Sequence, residues 1–423
     1  MEVTINTLTD CDREVEISLT PEELVPHFEQ AYKKASPSIE IKGFRKGKAP
    51  LSLIKKMYGD SIEYDALDNI ANDLFKKTIE ERNIQPIGTP NVVDMKYKRG
   101  EPFTFKIKYE IKPDFEVKEY KGIAVEKKAH RVTAKDVEAE VERLRHSNAT
   151  YEEAQKVNGS EFTVTADLQD LDETGAPLIG KKSEGMKIYL NETETEEEIK
   201  KALAHAEVGG VYTAKFKHQH DGHSHDVHLQ MTVKKIEKVI LPEFNDELVK
   251  KVTKEKYSSP GDFRKGIGED LQRYWDEQSE TQFVNDLTRE IVRRHDFAVP
   301  ESLVNGFIDT YIEDAKNQQP NKRLPKNFDE EKYREQLRPT AIWQAKWALI
   351  KEKILKQEKI EVSDAEIQTM AETESAKLGI DKDRLVQYYK SSENALDRII
   401  SEKLLELLKK SAVVKVVENS DAA

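Results

Sequence analysis

A single cysteine, Cys11, stands among 423 residues. That excludes an internal disulfide and fits a reducing compartment. Without a thiol partner, Cys11 reads as an ordinary strand or turn residue. No stretch approaches the ~20 consecutive apolar residues of a bilayer-spanning helix, so no membrane contact is expected. The first residues, Met1-Glu2-Val3-Thr4-Ile5-Asn6, have neither the basic start nor the apolar segment of a secretory signal. A cytoplasmic location follows as the expectation. Apolar residues are also scarce, at 37% with a mean hydropathy of -0.73. This is a poor supply for one large core, and the length suggests about two to four domains. Charged residues at 35% suit elongated helices with wetted faces, while aromatics at 8% argue against wholesale disorder.

The net charge is -12. Against that background, residues 41–59 contain no acid and carry Lys42, Arg45, Lys46, Lys48, Lys55 and Lys56. Gly43 and Gly47 allow the backbone to enter positive φ and fold into a tight projecting loop. Pro50 fits the first turn of a following helix. Between the glycines stand Phe44, Arg45 and Lys46, a trio able to fill an apolar crevice or stack on a base while its cations meet phosphates. A nucleotide phosphate loop is excluded, because GxxxxGK[ST] would need Gly at 42 and Ser or Thr at 49, where Lys42 and Ala49 stand. The residues alone leave two readings open, a merely solvated loop and a docking loop.

Along the chain, alternation at Val3, Ile5 and then Val15, Ile17, Leu19 predicts a hairpin. Thr20-Pro21-Glu22-Glu23 is a capping box that starts a helix to about Ala35. After the basic loop, a short helix to Tyr58 and a longer one from Ile62 to Ile79 are expected. Phe103, Phe105, Ile107, Tyr109 and Ile111 mark one face of a strand. An extended segment from Pro113 to Ile123 precedes a helix capped at Thr133. Short alternating runs at 162–166, 186–190 and 227–236, punctuated by glycines, predict four or five strands around one short helix, Glu196–Ala206. Beyond Leu241 the pattern is helical nearly to the end. Starts fall at Ser259-Pro260, Pro300-Glu301 and Ser363-Asp364-Ala365-Glu366, with a stop at Gly379 and a loop from Asn317 to Asn327. The last residues, 420–423, read as a frayed tail.

Gly43-Phe44-Arg45-Lys46-Gly47-Lys48-Ala49-Pro50 resembles the ribosome-docking signature G-F-R-x-G-x-x-P of bacterial trigger factors. Tyr109-Glu110-Ile111-Lys112-Pro113, Val132-Thr133-Ala134-Lys135-Asp136-Val137 and Leu241-Pro242-Glu243 extend the likeness over nearly the whole chain. The resemblance implies an α+β multidomain protein: a ribosome-binding domain (1–112), a linker and arm helix (113–150), an inserted FKBP-like β-rich domain (151–240), and an elongated all-α chaperone domain (241–423). It also implies an ATP-independent chaperone, without cofactor, that docks beside the exit tunnel of the large ribosomal subunit. Gly43, Phe44, Arg45, Lys46, Gly47, Lys48 and Pro50 would contact ribosomal RNA and protein. The other implied partners are nascent or unfolded polypeptides and, away from the ribosome, a second copy of the chain.

FKBP-type peptidyl-prolyl isomerisation uses neither nucleophile nor metal, only an aromatic-lined bowl that desolvates the amide and favours its twisted transition state. Here Leu168 and Leu229 stand where the family offers Phe, as does the Leu178-Ile179-Gly180 stretch. The run Glu192-Thr193-Glu194-Thr195-Glu196-Glu197-Glu198 replaces the usual turn into the central helix. The FKBP-like fold is therefore expected without a good catalytic bowl, an active isomerase being the alternative. Half of the ten histidines cluster at His218, His220, His223, His225 and His228. Two His-x-His pairs on a hairpin suit Zn²⁺ or Ni²⁺, and a polar hairpin tip turning at Asp221-Gly222 is the competing reading. For clients, the helical part offers Trp275, Phe283, Phe307, Tyr311, Trp343, Trp347, Tyr388 and Tyr389, each of which core packing could equally claim.

Overall fold

The computed structural model describes residues 1–192, 195–220, 223–319, 321–325 and 327–418, the side chains of 218–220 and 223–225 excepted. The expected hairpin forms as β1 (Glu2–Thr7) and β2 (Asp12–Leu19). Helix α1 (Pro21–Ala35) follows, its N-terminus closed by the reciprocal Thr20–Glu23 box. A single turn, Ser36–Ser38, leads to the basic loop. Beyond the loop, one unbroken helix, α2 (Leu51–Glu81), replaces the two expected. Gly59 is not a break. It is buried where a Cβ would come within 3.3 Å of the Tyr32 hydroxyl, so it lets α1 and α2 approach.

Strands β3 (Pro86–Lys96) and β4 (Phe103–Ile111) complete an antiparallel sheet of order β1-β2-β4-β3. β3 has no clean alternation. It lies at the sheet edge, where its prolines are tolerated, and its register with β4 slips twice. Alternate residues of β2 and β4, among them Ile17, Leu19, Phe103 and Phe105, pack against Leu67, Ile70 and Leu74 of α2. Then come β5 (Ala124–Ala129) and α3 (Ala134–Ser147), the latter capped at Thr133 as expected.

β6 (Thr150–Ala154), β7 (Phe162–Leu171), β8 (Pro177–Tyr189), β9 (Val211–His220) and β10 (His223–Ile240) form a five-stranded antiparallel sheet. One short helix, α4 (Glu197–Leu203), contributes to its core with Leu203. Among the described residues seven helices follow: α5 (Asp246–Thr253), α6 (Pro260–Arg294), α7 (Glu301–Asn317), α8 (Glu330–Glu358), α9 (Asp364–Leu378), α10 (Lys382–Ser391) and α11 (Glu393–Ser411). The Ser363–Glu366 capping box and the left-handed Gly379 stop are both present. The helical run ends in a strand, β11 (Val413–Glu418), which pairs with β5. Residues 420–423 of the expected tail lie outside the described residues.

By internal contacts the chain divides into two units. One comprises 1–127 with 281–416, and the other 128–280 with 417–423. In the first unit, the Glu110 carboxylate of β4 accepts the backbone N–H of Ser302 (2.8 Å) and of Glu301 (3.2 Å) at the start of α7, and also the Ser302 hydroxyl. An anion there satisfies N–H groups that the helix itself leaves open.

Candidate functional site

The basic loop is two consecutive four-residue turns. Phe44 N–H donates to the Ile41 carbonyl (3.0 Å), and Lys48 N–H donates to that of Arg45 (2.9 Å). The third residue of each turn is a glycine at positive φ, Gly43 at +97° and Gly47 at +73°, as type II geometry demands. Gly47 is required twice over, because a Cβ there would stand 3.0 Å from Cα and O of Pro37. Its N–H also donates to the Ile39 carbonyl at 3.2 Å, closing the loop on its own entry. Buried Ile41 and Ala49 anchor the two ends in the domain core.

Between these anchors the side chains face solvent. Phe44 is 43% exposed. Lys42, Arg45, Lys46 and Lys48 are exposed, and among the described residues none has an acidic partner. Pro50 is the N-cap of α2 rather than its first helical residue. Its carbonyl still accepts from Leu53 and Ile54. No side chain caps this helix and no acid lies in its first turn, so its positive end adds to the loop's field. What results is an exposed aromatic ringed by uncompensated cations on a stiff backbone, suited to an anionic surface with an apolar recess.

Two family models match the chain, "Bacterial trigger factor protein (TF)" over residues 1–144 and "Bacterial trigger factor protein (TF) C-terminus" over residues 261–410. The chain belongs to the trigger factor family. The trigger factor of Salinibacter ruber is 28% identical over 431 residues, covering 96% of this chain and 93% of its own. That of Chlorobaculum tepidum is 29% identical over 418 residues, covering 98% and 97%. A solved trigger factor chaperone, described for promiscuous substrate recognition in folding and assembly, aligns over 97% of this chain and 99% of its own. Its TM-score is 0.51 at 21% identity, a likeness of fold.

Packing has taken up most of the helical aromatics. Phe283 and Tyr389 are fully buried in helix cores. Trp343 and Trp347 lean on the core formed by Phe283, Leu287, Ile350 and Leu404. Phe307 and Tyr311 lean on the one formed by Val304, Ile308 and Ala341. In the second unit, Trp275 lies 4.6 Å from the His130 ring. Tyr388 alone of the set is exposed, at 56%.

Two grooves flank α8 and share Glu352. One, of about 640 Å³, is lined by Phe307, Trp347, Leu355, Leu404 and Leu405. The other, of about 630 Å³, is lined by Phe115, Val117, Leu349 and Lys353. Phe115 stacks on Phe297 at 3.8 Å, with the Lys353 ammonium 4.4 Å from the Phe115 ring centre. Phe115 and Val117 escaped sequence reading because their alternation is too short to mark a strand. The only available signal was two apolar residues inside a charged run.

In the five-stranded domain, Leu229 is buried and Leu168 partly so, both in an aliphatic core whose aromatics are Phe162, Tyr212 and Phe216. Leu178 and Ile179 face solvent. Asp167 accepts the Gly185 N–H at 3.1 Å and lies 3.3 Å from Lys234 and 3.6 Å from Lys182. Its pKa is lowered, chiefly by the Gly185 hydrogen bond.

At the β9–β10 hairpin, His223 pairs with His220 and His225 with His218 along the backbone. The side chains of His218, His220, His223 and His225 lie outside the described residues. His228 is 3.0 Å through Nδ1 from the Asp172 carbonyl. Among the described residues, no group of three or more His, Cys, Asp or Glu is placed to hold a metal ion. Among them, too, no helix is long and apolar enough to cross a membrane.

Proposed function

We propose that the chain works as a ribosome-associated, ATP-independent chaperone of the cytoplasm, anchored by residues 42–50 beside the exit tunnel of the large subunit. Membership of the trigger factor family supports the chaperone role. The observation that carries the docking assignment is the unpaired cluster Lys42, Arg45, Lys46 and Lys48 around exposed Phe44, on a backbone that two left-handed glycines fix. In this reading residues 1–112 dock, 113–150 link, 151–240 form the inserted domain and 241–423 receive unfolded chains. The α8 grooves give clients shallow apolar seats rimmed by Lys–Glu pairs such as Lys112–Glu352 and Lys356–Glu352. Shallow seats of this kind give weak, multivalent and reversible contacts. The inserted domain serves as a spacer with little isomerase activity, because leucines, Leu168 and Leu229, stand in its core where aromatics would be needed to desolvate a prolyl amide. Self-association off the ribosome belongs to the same proposal.

Co-sedimentation with ribosomes tests the docking assignment. The F44A/R45A/K46A variant should stay in the supernatant at low salt while keeping its circular dichroism and melting temperature. Suppression of client aggregation without ATP should survive in that variant. If it pellets like the unsubstituted chain, the docking assignment is wrong.

A further inference from the structure

We infer that Lys33, Lys34 and Lys56 extend the loop's charge into a strip that lies along the phosphate backbone of RNA, a second contact beside the Phe44 tip. The inference rests on the docking reading and deepens it by naming which partner the strip meets.

Charge pairing in the N-terminal residues is segregated. Around the sheet several cations have acidic partners: Lys106 with Glu14 and Glu16, Lys108 with Asp12, and Arg99 with Asp60 and Glu63, while Arg13 and Arg82 donate to backbone carbonyls. Lys33, Lys34 and Lys56 are exposed and, among the described residues, have no acidic partner, as with the four cations of the loop. Lys76, the other such cation of α2, lies 20 residues further along the helix, ~30 Å away.

These cations follow one another closely along the chain, on elements that pack together. Lys33 and Lys34 occupy the last turn of α1, whose negative dipole end holds cations favourably. The turn Ser36–Ser38 joins that end to the loop, and Gly47 packs on Pro37. On the far side, Lys55 is tied to Glu29 and lies 5.1 Å from the Tyr32 ring centre, which holds the start of α2 against α1. Lys56 is the next residue. Two exposed acids border the strip: Glu40, which the loop cations follow directly, and Asp60, one turn beyond Lys56 and paired with Arg99 at 2.7 Å.

The residue types favour RNA over protein. Protein–protein interface centres are depleted of Lys and enriched in aromatic anchors. Around Lys33 and Lys34 the exposed neighbours are Pro37, Ser38 and Glu40, with no large apolar side chain. Flexible ammonium groups of this kind suit irregularly spaced phosphates, which need neutralising charge but no fixed fork geometry. The apolar elements, Phe44 and the exposed Met57 and Tyr58, are the part suited to ribosomal protein.

Binding of the full chain to purified large ribosomal subunits across a potassium chloride series tests this. In K33A/K34A/K56A, affinity at low salt should fall about tenfold or more, and the log–log salt slope should shrink by about two. At high salt the variant and the unsubstituted chain should converge, and K33R/K34R/K56R should restore the slope. An unchanged slope and affinity in the alanine variant, with binding still lost in F44A/R45A/K46A, would overturn the strip and leave the docking loop standing. Weaker binding with an unchanged slope would overturn the RNA assignment in favour of a protein contact. If neither variant changes binding, the docking reading falls together with the strip.

Discussion

The basic loop and the α8 grooves reach function by opposite routes. At the loop, local backbone chemistry decides the outcome: two glycines at positive φ and a carbonyl-closed entry hold Phe44 outward against its preference for burial. At the grooves, long-range packing decides. Trp343 and Trp347 share one face of α8, as their spacing predicts, yet how much of each ring meets solvent depends on Leu404 and Ile350. A site specified by its own few residues is defined by charge and turn geometry. A site left over between packed helices is apolar and set by its neighbours.

The comparison can be broken at several points. The largest expected effect concerns Cys11, a residue whose state is set by packing. Its thiol is buried, 3.5 Å from the Ala298 carbonyl, and burial followed by nearby Asp12 and Glu110 pushes its pKa to about 11. Alkylation at pH 8 should therefore run about 100-fold slower in the folded chain than in the unfolded one, timed by mass spectrometry. Equal rates would mean that the contact is absent.

Next comes Gly47→Ala, where left-handed strain and the approach to Pro37 coincide. A non-glycine residue there costs about 1–2 kcal/mol, and ribosome affinity should drop about tenfold. Gly43→Ala should lose less, because nothing lies within 4 Å of its Cβ position. The reverse order would show that Pro37 yields.

Trp347→Ala should widen its groove, lower stability by about 1–3 kcal/mol and weaken capture of an unfolded client only a few-fold. Denaturant melts and client light scattering measure the two effects. Complete loss of capture would mean that the groove is a concentrated site and not one of several weak ones.

The smallest effect belongs to the α9 capping box, where a local cap and a distant lysine meet on one carboxylate. Lys403 first, then the Ser363 N–H and hydroxyl, hold Glu366 at about 2. A depressed carboxylate stabilises fully above its unfolded pKa of about 4.5 and loses that contribution as pH falls toward 2. Glu366→Gln should flatten the melting temperature slightly over that window, and an unchanged pH profile would remove Glu366 as a contributor.

The same division explains what could be read in advance. The hairpin 2–19, the helix caps at Thr20, Thr133 and Ser363 and the Gly379 stop all carry their cause within a few residues. The split of α2 at Gly59 was misread because a glycine that admits a neighbouring helix resembles one that ends its own. β5 and β11 escaped because each finds its partner far along the chain, as in the Val413 N–H to Ile123 carbonyl bond of 2.9 Å. The loop trio stood out by charge, whereas its exposure was decided by Ile41 and Ala49 anchoring either side. The groove residue Phe115 depends on Phe297 and Lys353, which no local pattern announces.

The most direct test is the equilibrium affinity of the full chain for large ribosomal subunits at low salt, measured beside F44A/R45A/K46A. The account predicts clear binding by the first and a loss of at least about 100-fold in the second, with unaltered melting. Equal affinities would contradict it.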